Sequence, residues 1–286
     1  MGLLLKVLIP LLGAALALYF YSAPGNFSEE MLRGKRVIVT GASSGIGEQM
    51  AYHLARMEAH LLLTARTEAK LQKVVERCLE LGAASARYIS GSMDSPSAGS
   101  EVSGKPPLPP GGLDMLILNH IGQSSFTFFS GDVGHVRKLM ETNFVSYVAL
   151  ATAALPLLKE SEGSIVVVSS IAGELLTQPF LCLPQVPAET PLPKAEEGPQ
   201  AELGLRVSTC FSSLSAVRAV SHVIPDTPAP KEECALEIIR AGALRRRELH
   251  YPAPAVSSML LLRSLAPELL DSLVRSRYRL ENVRRT

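Results

Sequence analysis

The sequence predicts a doubly wound α/β fold, in which a parallel sheet carries helices on both faces. Short apolar segments typical of buried strands alternate along the chain with longer segments of helical periodicity. The first strand runs into a glycine-rich turn and then a helix, which is how a dinucleotide-binding βαβ unit begins. At 286 residues, the chain is long enough for one large domain of this kind.

The glycine-rich turn lies in the sequence RVIVTGASSGIG, residues 36–47. Gly41 permits a tight turn after the strand, and Gly45 lets the backbone approach a pyrophosphate. Gly47 lets the following helix pack close to the strand, and the helix N-terminus offers unpaired N–H groups to an anion. The turn therefore predicts a Rossmann-like nucleotide site.

Further elements follow in order, each predicted from its periodicity. Strands are predicted at His60–Ala65, Arg87–Ser90, Leu113–Asn119 and Ile165–Val168. Helices are predicted at Thr67–Leu81, at Val133–Glu160 with a kink or end at Pro156, and at Val256–Arg279 with a break at Pro267. Residues 95–112 are rich in Ser, Gly and Pro and are a poor candidate for the crossover helix that this fold needs there.

The N-terminal residues 1–23 form an apolar segment that predicts a single transmembrane helix. A cleaved signal peptide is the alternative, but Tyr21 and Pro24 make a poor cleavage site. Lys6 precedes the apolar run, and the positive-inside rule then places the rest of the chain in the lumen of the endoplasmic reticulum. We divide the chain into this anchor, a nucleotide-binding domain over residues 34–250, and an amphipathic extension over residues 251–286.

Composition and charge exclude two classes of site. The net charge is +1, and no stripe of aromatic and basic residues is present, so nucleic-acid binding is not expected. The four cysteines have no CxxC spacing and no neighbouring histidine cluster, so no metal site is expected.

Arg66 ends the second predicted strand, where the adenosine ribose of a bound dinucleotide should lie. An acidic residue there would hold the 2′-hydroxyl of NAD, whereas arginine suits the 2′-phosphate of NADP. Ser43 and Ser44 add hydroxyl donors nearby. The sequence therefore favours NADP(H), and an ordinary surface arginine is the alternative.

Several motifs together resemble the short-chain dehydrogenase/reductases. They are TGASSGIG at residues 40–47, LNH at 118–120, METNFVSY around Asn143, and VVVSS ending at Ser170. Further blocks, including AYHLARMEAHLLLTAR and APKEECALEIIRAGAL, are similar to membrane-anchored members of this family that act on steroids.

The resemblance implies a function for individual residues. Asn143 would hold a helix kink and a proton-relay water, and Ser170 would hydrogen-bond the substrate oxygen. The implied cofactor contacts, from the pyrophosphate to the adenosine, adenine and ribose, are Gly41, Ala42, Ser43, Ser44, Gly45, Ile46, Gly47, Arg66, Thr67, Ser92, Met93, Asn119, His120 and Ile121. NADP-preferring relatives often carry a basic residue at the place of Ser44, so Ser44 supplies less positive charge than they have.

The chain departs from the family where the acid/base should be. The family has a Tyr about a dozen residues after the Ser and a Lys four residues later, and Leu183 and Pro187 stand at those places. Residues 174–198 contain five prolines and cannot form the long helix that carries this pair and contributes to the family's homodimer. Residues 174–229 read as a replaced segment, as an alternative transcript or a faulty gene model would produce. The sheet is therefore expected to be incomplete after residue 173.

Two functions are compatible with these patterns. The first is an NADP(H)-dependent oxidoreductase of the endoplasmic reticulum membrane that interconverts 11-ketosteroids and 11β-hydroxysteroids. The second is a catalytically inactive, membrane-anchored nucleotide-binding or interaction protein. The missing Tyr/Lys pair favours the second for this chain, and the family resemblance favours the first.

Overall fold

A parallel sheet of seven strands organises the computed structural model, which describes residues 26–93, 112–122, 132–170, 205–209, 230–246 and 248–277. The strands are β1 Arg36–Thr40, β2 His60–Ala65, β3 Ser85–Ser90, β4 Met115–Leu118, β5 Ser164–Ser170, β6 Leu205–Thr209 and β7 His250–Tyr251. Their order across the sheet is β3-β2-β1-β4-β5-β6-β7. The chain thus moves outward from β1 to β3 and then crosses back to β4, which opens a crevice at the carboxyl ends of β1 and β4.

Helices cover both faces of the sheet, as the sequence predicts. They are α1 Gly45–Arg56, α2 Glu68–Glu80, α3 Val133–Met140, α4 Ser146–Glu160, α5 Lys231–Ala243, α6 Ala253–Leu265 and α7 Pro267–Arg277. Val37 and Val39 of β1 pack on one side, with α1, α2 and α5. Ile38 between them packs on the other side, with α4. This alternation of successive side chains between two cores is what a strand buried on both faces requires.

Two findings correct the predictions for the second half of the sheet. β6 lies within residues 174–229, the segment that reads as replaced and for which no strand is predicted, and it pairs in parallel with β5. β7 then pairs with β6, so the expectation that the sheet is incomplete after residue 173 is wrong. β6 has only five residues, LRVST. An alternation of apolar and polar residues over so few positions is too short to predict a strand by itself.

The long helical segment over residues 133–160 does not end at Pro156, and it is interrupted around Asn143, where the resemblance implies a helix kink. α4 does not end at Pro156 but continues to Glu160. Pro156 has no N–H to donate to the Thr152 carbonyl. Both residues are exposed, so water can hydrogen-bond that carbonyl. The interruption is instead a π-helical turn at Glu141–Val145, between α3 and α4.

Three of the segments discussed in the sequence analysis lie outside the described residues. The anchor at residues 1–23, the Ser/Gly/Pro-rich residues 95–111 and the proline-rich residues 174–198 all lie outside them. Within the described ranges, no helix is both long and apolar enough to cross a bilayer. The C-terminal helical pattern is broken at Pro267 as predicted, because α6 ends at Leu265 and α7 begins at Pro267.

Candidate nucleotide-binding site

The glycine turn, residues 41–47, joins β1 to α1, and its three glycines meet three different constraints. Gly41 has φ +66°, and a Cβ built there would lie 2.9 Å from the Asn119 carbonyl oxygen. A Cβ on Gly47 would lie 2.3 Å from the Gly41 carbonyl oxygen. Gly45 also has φ +66°, but a Cβ there would meet no atom within 4 Å. Gly41 and Gly47 are therefore required by packing, whereas Gly45 combines a left-handed backbone with open space beside the helix N-terminus.

The N-terminus of α1 faces this open space without a side-chain cap. Ser44 is the N-cap residue, has an extended backbone, and makes no capping hydrogen bond with its side chain. The first N–H groups of a helix have no partner within the helix and carry its positive dipole end. Ser44 is exposed and Ser43 is half-buried, so both lie at the surface of the turn, whereas Ala42 is buried in the core.

Thr40 ties the end of β1 to the end of β4. Its side chain is fully buried, and its hydroxyl accepts hydrogen bonds from the backbone N–H of Asn119 at 2.8 Å and of His120 at 3.2 Å. The Asn119 side-chain amide donates in turn to the carbonyl oxygens of Thr40 and Gly41, at 3.3 and 3.4 Å. The two strands that flank the crevice are thus fixed to one another at the point where the turn begins.

His120 is oriented into the core by a complete set of hydrogen bonds. Its Nε2 lies 2.8 Å from the Ser146 hydroxyl oxygen, and that hydroxyl donates to the Thr142 carbonyl at 2.6 Å. Because Ser146 has one proton and uses it there, it accepts from Nε2–H. Nδ1 is then an acceptor 2.8 Å from the Thr40 hydroxyl, whose proton is shared with the Ile117 carbonyl at 3.3 Å. The Tyr147 hydroxyl donates to the His120 carbonyl at 2.6 Å.

Burial lowers the pKa of His120 to about 4, partly opposed by the Thr142 carbonyl and reinforced by the positive charge of Arg66. The imidazole is therefore neutral at physiological pH. Its orientation also limits the predicted ribose contact of His120 to backbone atoms, since the side chain lies among Thr40, Ser146 and Tyr147. The LNH motif predicts that His120 lies at this site, but it does not predict which way the side chain points.

Asn143 lies in the π-helical turn between α3 and α4, where the resemblance implies a helix kink. It is buried, and its side-chain oxygen accepts a hydrogen bond from the Gly122 backbone N–H at 2.6 Å. The segment that follows β4 is thus held by Thr40 at its beginning and by Asn143 at its end.

A cleft opens beside this segment, at the carboxyl ends of β2 and β3. We call it the basic cleft, and it is lined by Arg66, Ser92, Gly122, His135, Lys138, Leu139 and Thr142. Of the residues predicted to contact the adenosine, Arg66 and Ser92 line it, and Thr67 is an exposed residue at the start of α2. Ile121 is exposed, but Met93 packs in the core with Ile38 and Leu62, so its side chain is not open to an adenine ring.

Three basic-cleft residues that the sequence did not single out come from one face of α3 and the π-helical turn. His135, Lys138 and Thr142 follow one another at intervals of three and four residues, which places them along one helix face. That spacing was visible in the sequence, but nothing in the sequence shows which side of the fold this face meets.

Ser170 is the last residue of β5, and its Cα pairs with that of Thr209 in β6. The carboxyl ends of parallel strands lie at one edge of a sheet, so Ser170 is on the same edge as Asn119. Leu183 and Pro187, which replace the family's Tyr and Lys, lie outside the described residues. The described residues contain no group of three potential metal ligands.

Comparisons with known proteins agree on one family. The family model described as short chain dehydrogenase matches residues 35–181. The chain is 42% identical to the hydroxysteroid 11-beta-dehydrogenase 1-like protein of Danio rerio, over 97% of this chain and 99% of that protein. It is 45% identical to the protein of the same name from Gallus gallus, over 79% of this chain and 82% of that one.

Solved structures show the same fold at lower identity. A short chain dehydrogenase/reductase family protein superposes with a TM-score of 0.62 at 20% identity, over 77% of this chain and 96% of the other. A 3-oxoacyl (acyl-carrier-protein) reductase from Agrobacterium tumefaciens, solved with NADP bound, gives a TM-score of 0.61 at 18% identity, over 78% and 96% of the two chains.

We expect the neutral, buried state of His120 to make the fold sensitive to acid. Between pH 6.5 and pH 4 the unfolded chain binds a proton at this side chain and the folded chain does not, so stability falls as pH falls. The loss should approach about 3 kcal/mol over this window. Urea unfolding of the detergent-purified chain at pH 7, 6, 5 and 4.5 measures it, and His120→Asn should flatten the slope.

His53→Asn is the matched control. Burial also lowers the pKa of His53, but this imidazole is only half-buried and hydrogen-bonds one carbonyl, that of Glu232. The control should therefore change the slope less. Equal slopes in the wild type and His120→Asn would contradict the assignment.

Proposed function

The chain belongs to the short-chain dehydrogenase/reductase family, whose members are oxidoreductases with nucleotide cofactors, and on this premise we propose that it carries the cofactor site of an NADP(H)-dependent steroid oxidoreductase. Its reaction would interconvert 11-ketosteroids and 11β-hydroxysteroids. The observation that carries the proposal is the combination, at one switch point of the sheet, of the open glycine turn with a basic cleft that begins at Arg66.

The residues present suit a dinucleotide with a phosphorylated ribose. Gly45 and the N-terminus of α1 would take the pyrophosphate, because no side chain fills the space beside them. Arg66 directly follows β2, where the adenosine ribose is bound in this fold, and no described residue of the cleft wall is acidic. Asn119 and the backbone of His120 would contact the ribose next to the nicotinamide.

The steroid substrate rests on the names of the relatives. The similar proteins of fish, frog and chicken are all named hydroxysteroid 11-beta-dehydrogenase 1-like, at 38–45% identity. In this reaction the nicotinamide supplies or accepts a hydride when bound. Ser170, at the carboxyl edge of the sheet, would hydrogen-bond the steroid oxygen, and Asn143 would hold the segment after β4 in place.

Proton transfer is the step for which the described residues offer no group. Reduction of a carbonyl needs an acid near its oxygen, and a tyrosine serves best when its pKa is lowered. Burial instead raises the pKa of Tyr147, and the pKa values of Tyr52 and Tyr251 rise to about 12. Their hydroxyls donate to the His120 carbonyl, Glu48 and Glu233, respectively. The remaining described tyrosine, Tyr88 in β3, donates to Glu68.

This observation favours a second candidate function, a membrane-anchored protein that binds the nucleotide without turning over a steroid. The sequence supports it, since no Tyr occurs between Ser170 and Tyr251 and Lys194 is the single Lys between Ser170 and Lys231. The two candidates share the cofactor site and differ in catalysis. One experiment therefore tests cofactor binding, and a separate experiment tests catalysis.

We expect Arg66→Asp to weaken NADPH binding far more than NADH binding. The substitution replaces attraction for a 2′-phosphate by repulsion, and NADH has no phosphate at that position. Titration of the detergent-purified chain with both cofactors, followed by nicotinamide fluorescence, measures the difference. Arg77→Asp, on the exposed face of α2, is the control and should change neither affinity. Equal losses for both cofactors in Arg66→Asp would refute the NADP assignment.

We expect the chain itself to reduce 11-ketosteroids at or near the background rate, even with saturating NADPH. A positioned acid contributes typically about 10²–10⁴-fold, and misplacement of the nicotinamide costs further rate. Replacing the segment after Gly173 by a helix that carries the family's Tyr and Lys should restore activity. Placing only those two side chains at Leu183 and Pro187 should not restore it, because the prolines around them prevent a helix.

Steroid turnover by the unaltered chain would contradict this expectation. Reduction of cortisone at an ordinary enzymatic rate, lost on Ser170→Ala, would show that the proton comes from a group other than the family's tyrosine.

We further propose that residues 1–23 anchor the chain in the endoplasmic reticulum membrane with the domain in the lumen. The apolar run after Lys6 supports this orientation. Protease added to sealed microsomes should spare the domain, and should digest it once detergent opens the vesicles. Digestion of the domain in intact vesicles would reverse the orientation.

A further inference from the structure

The π-helical turn at Glu141–Val145 takes from one carbonyl the donor that a regular helix would supply. The Ser146 backbone N–H donates to the Glu141 carbonyl, five residues earlier, rather than to the Thr142 carbonyl, four residues earlier. The Ser146 hydroxyl donates to the Thr142 carbonyl instead, at 2.6 Å. A side chain thus replaces the backbone hydrogen bond that the extra residue of the turn displaces.

The buried His120 ring fixes the Ser146 hydroxyl in this role. Its Nε2–H donates to the Ser146 oxygen at 2.8 Å, so the hydroxyl is an acceptor toward His120 and a donor toward Thr142. Tyr147 packs beside the imidazole, with the two ring centroids 4.4 Å apart. Both His120 and Ser146 are buried, so each of these hydrogen bonds would be costly to lose.

The turn sets the position of Asn143 against the segment that follows β4. The Asn143 side-chain oxygen accepts a hydrogen bond from the Gly122 N–H at 2.6 Å, and a Cβ built on Gly122 would lie 3.2 Å from the same oxygen. Each residue turns an α-helix by about 100°, so removing the extra residue would rotate Asn143 relative to α4. Gly122 and Thr142 both line the basic cleft, so the turn places two residues of its wall.

We propose that Ser146 and His120 are positioning residues, which hold the π-helical turn in the form that the nucleotide requires. The inference rests on the proposed NADP(H) site, and neither side chain is among the described wall residues of the cleft. Without the Ser146 hydroxyl, the Ser146 backbone N–H returns to the Thr142 carbonyl and the turn relaxes toward a regular helix. A bound nucleotide must then restore the turn, so its apparent affinity falls.

Ser146→Ala removes the hydroxyl, and two measurements on the detergent-purified full-length chain test its effect. Hydrogen–deuterium exchange at the Gly122 amide should become faster, because the amide loses its bond to Asn143. The Ala42 amide, which donates to the Thr64 carbonyl at 3.2 Å, should keep its protection and so show that the change is local. Titration should show that NADPH binds about three- to tenfold more weakly, since the competent turn has lost one buried hydrogen bond.

Ser264→Ala is the matched control. The Ser264 hydroxyl also donates to a carbonyl four residues earlier, that of Leu260 at 3.1 Å, but it lies in the regular helix α6. This variant should change neither the exchange of the Gly122 amide nor the affinity for NADPH. Urea unfolding of each variant checks that it is folded under the conditions of the titration.

A pair of substitutions at His120 decides the same question if Ser146→Ala does not fold. Glutamine places an amide nitrogen near the position of Nε2, whereas asparagine places one near Nδ1. His120→Gln should therefore keep the donor to Ser146, the protection of the Gly122 amide, and the NADPH affinity to within about twofold. His120→Asn lacks that donor and should shift both measurements in the direction of Ser146→Ala. Equal behaviour of the two His120 variants would contradict the inference.

The remaining outcomes distinguish this inference from the proposed function. Unchanged exchange at Gly122 in Ser146→Ala would show that the hydroxyl does not hold the turn. Faster exchange with unchanged NADPH affinity would show that the turn does not position the nucleotide, and the cofactor assignment would stand. If the wild type binds no NADPH, the cofactor assignment is wrong and this inference is wrong with it.

Discussion

The close approach of the glycine turn to the end of β4 is the constraint on which the crevice depends. A Cβ at Gly41 would lie 2.9 Å from the Asn119 carbonyl, and a Cβ at Gly47 would lie 2.3 Å from the Gly41 carbonyl. Neither contact can be relieved by rotating a side chain, because the opposing atoms belong to the backbone. This approach sets the separation of β1 and β4 and the distance of α1 from the sheet.

A buried polar network holds this arrangement in one geometry. Thr40 accepts from two consecutive backbone N–H groups after β4, and His120 connects Thr40 to Ser146 on α4. A polar network inside a core is costly if any member lacks a partner, and it specifies a single arrangement when all members are satisfied. Here the single proton of Ser146 makes Nε2 of His120 a donor, and the Thr40 hydroxyl proton is shared between Nδ1 and the Ile117 carbonyl. Asn143, in the π-helical turn, accepts a separate hydrogen bond from the Gly122 backbone N–H.

The parts of the fold that the sequence predicted are those whose signal is local. β1, β2 and β5 are runs of apolar residues, and α1 and α2 have one apolar face each, so their periodicity is visible within a dozen residues. β6 could not be found in this way, because its pairing with β5 joins residues that are far apart in the chain. The direction of the His120 side chain and the wall formed by His135 and Lys138 were missed for the same reason. Both depend on which element packs against the residue in the fold, and a single sequence does not show that packing.

The proposed cofactor site and the groups that would transfer a proton belong to different parts of the chain. Every described contact that shapes the crevice comes from residues up to 170, namely the glycine turn, the end of β2, the segment after β4 and the π-helical turn. The groups that would move a proton belong in the family to a later helix, and the sequence there has prolines in place of helical periodicity. The tyrosines with raised pKa values are used by the scaffold, since Tyr147 supports the His120 carbonyl and Tyr52 bonds within α1. A buried phenol whose proton is already donated to a carbonyl stabilises the fold, and it is a poor acid because removing that proton would leave an unsolvated anion. The scaffold of the proposed cofactor site therefore does not depend on the segment that would carry the acid, and we expect the loss of that segment to affect catalysis before it affects nucleotide binding.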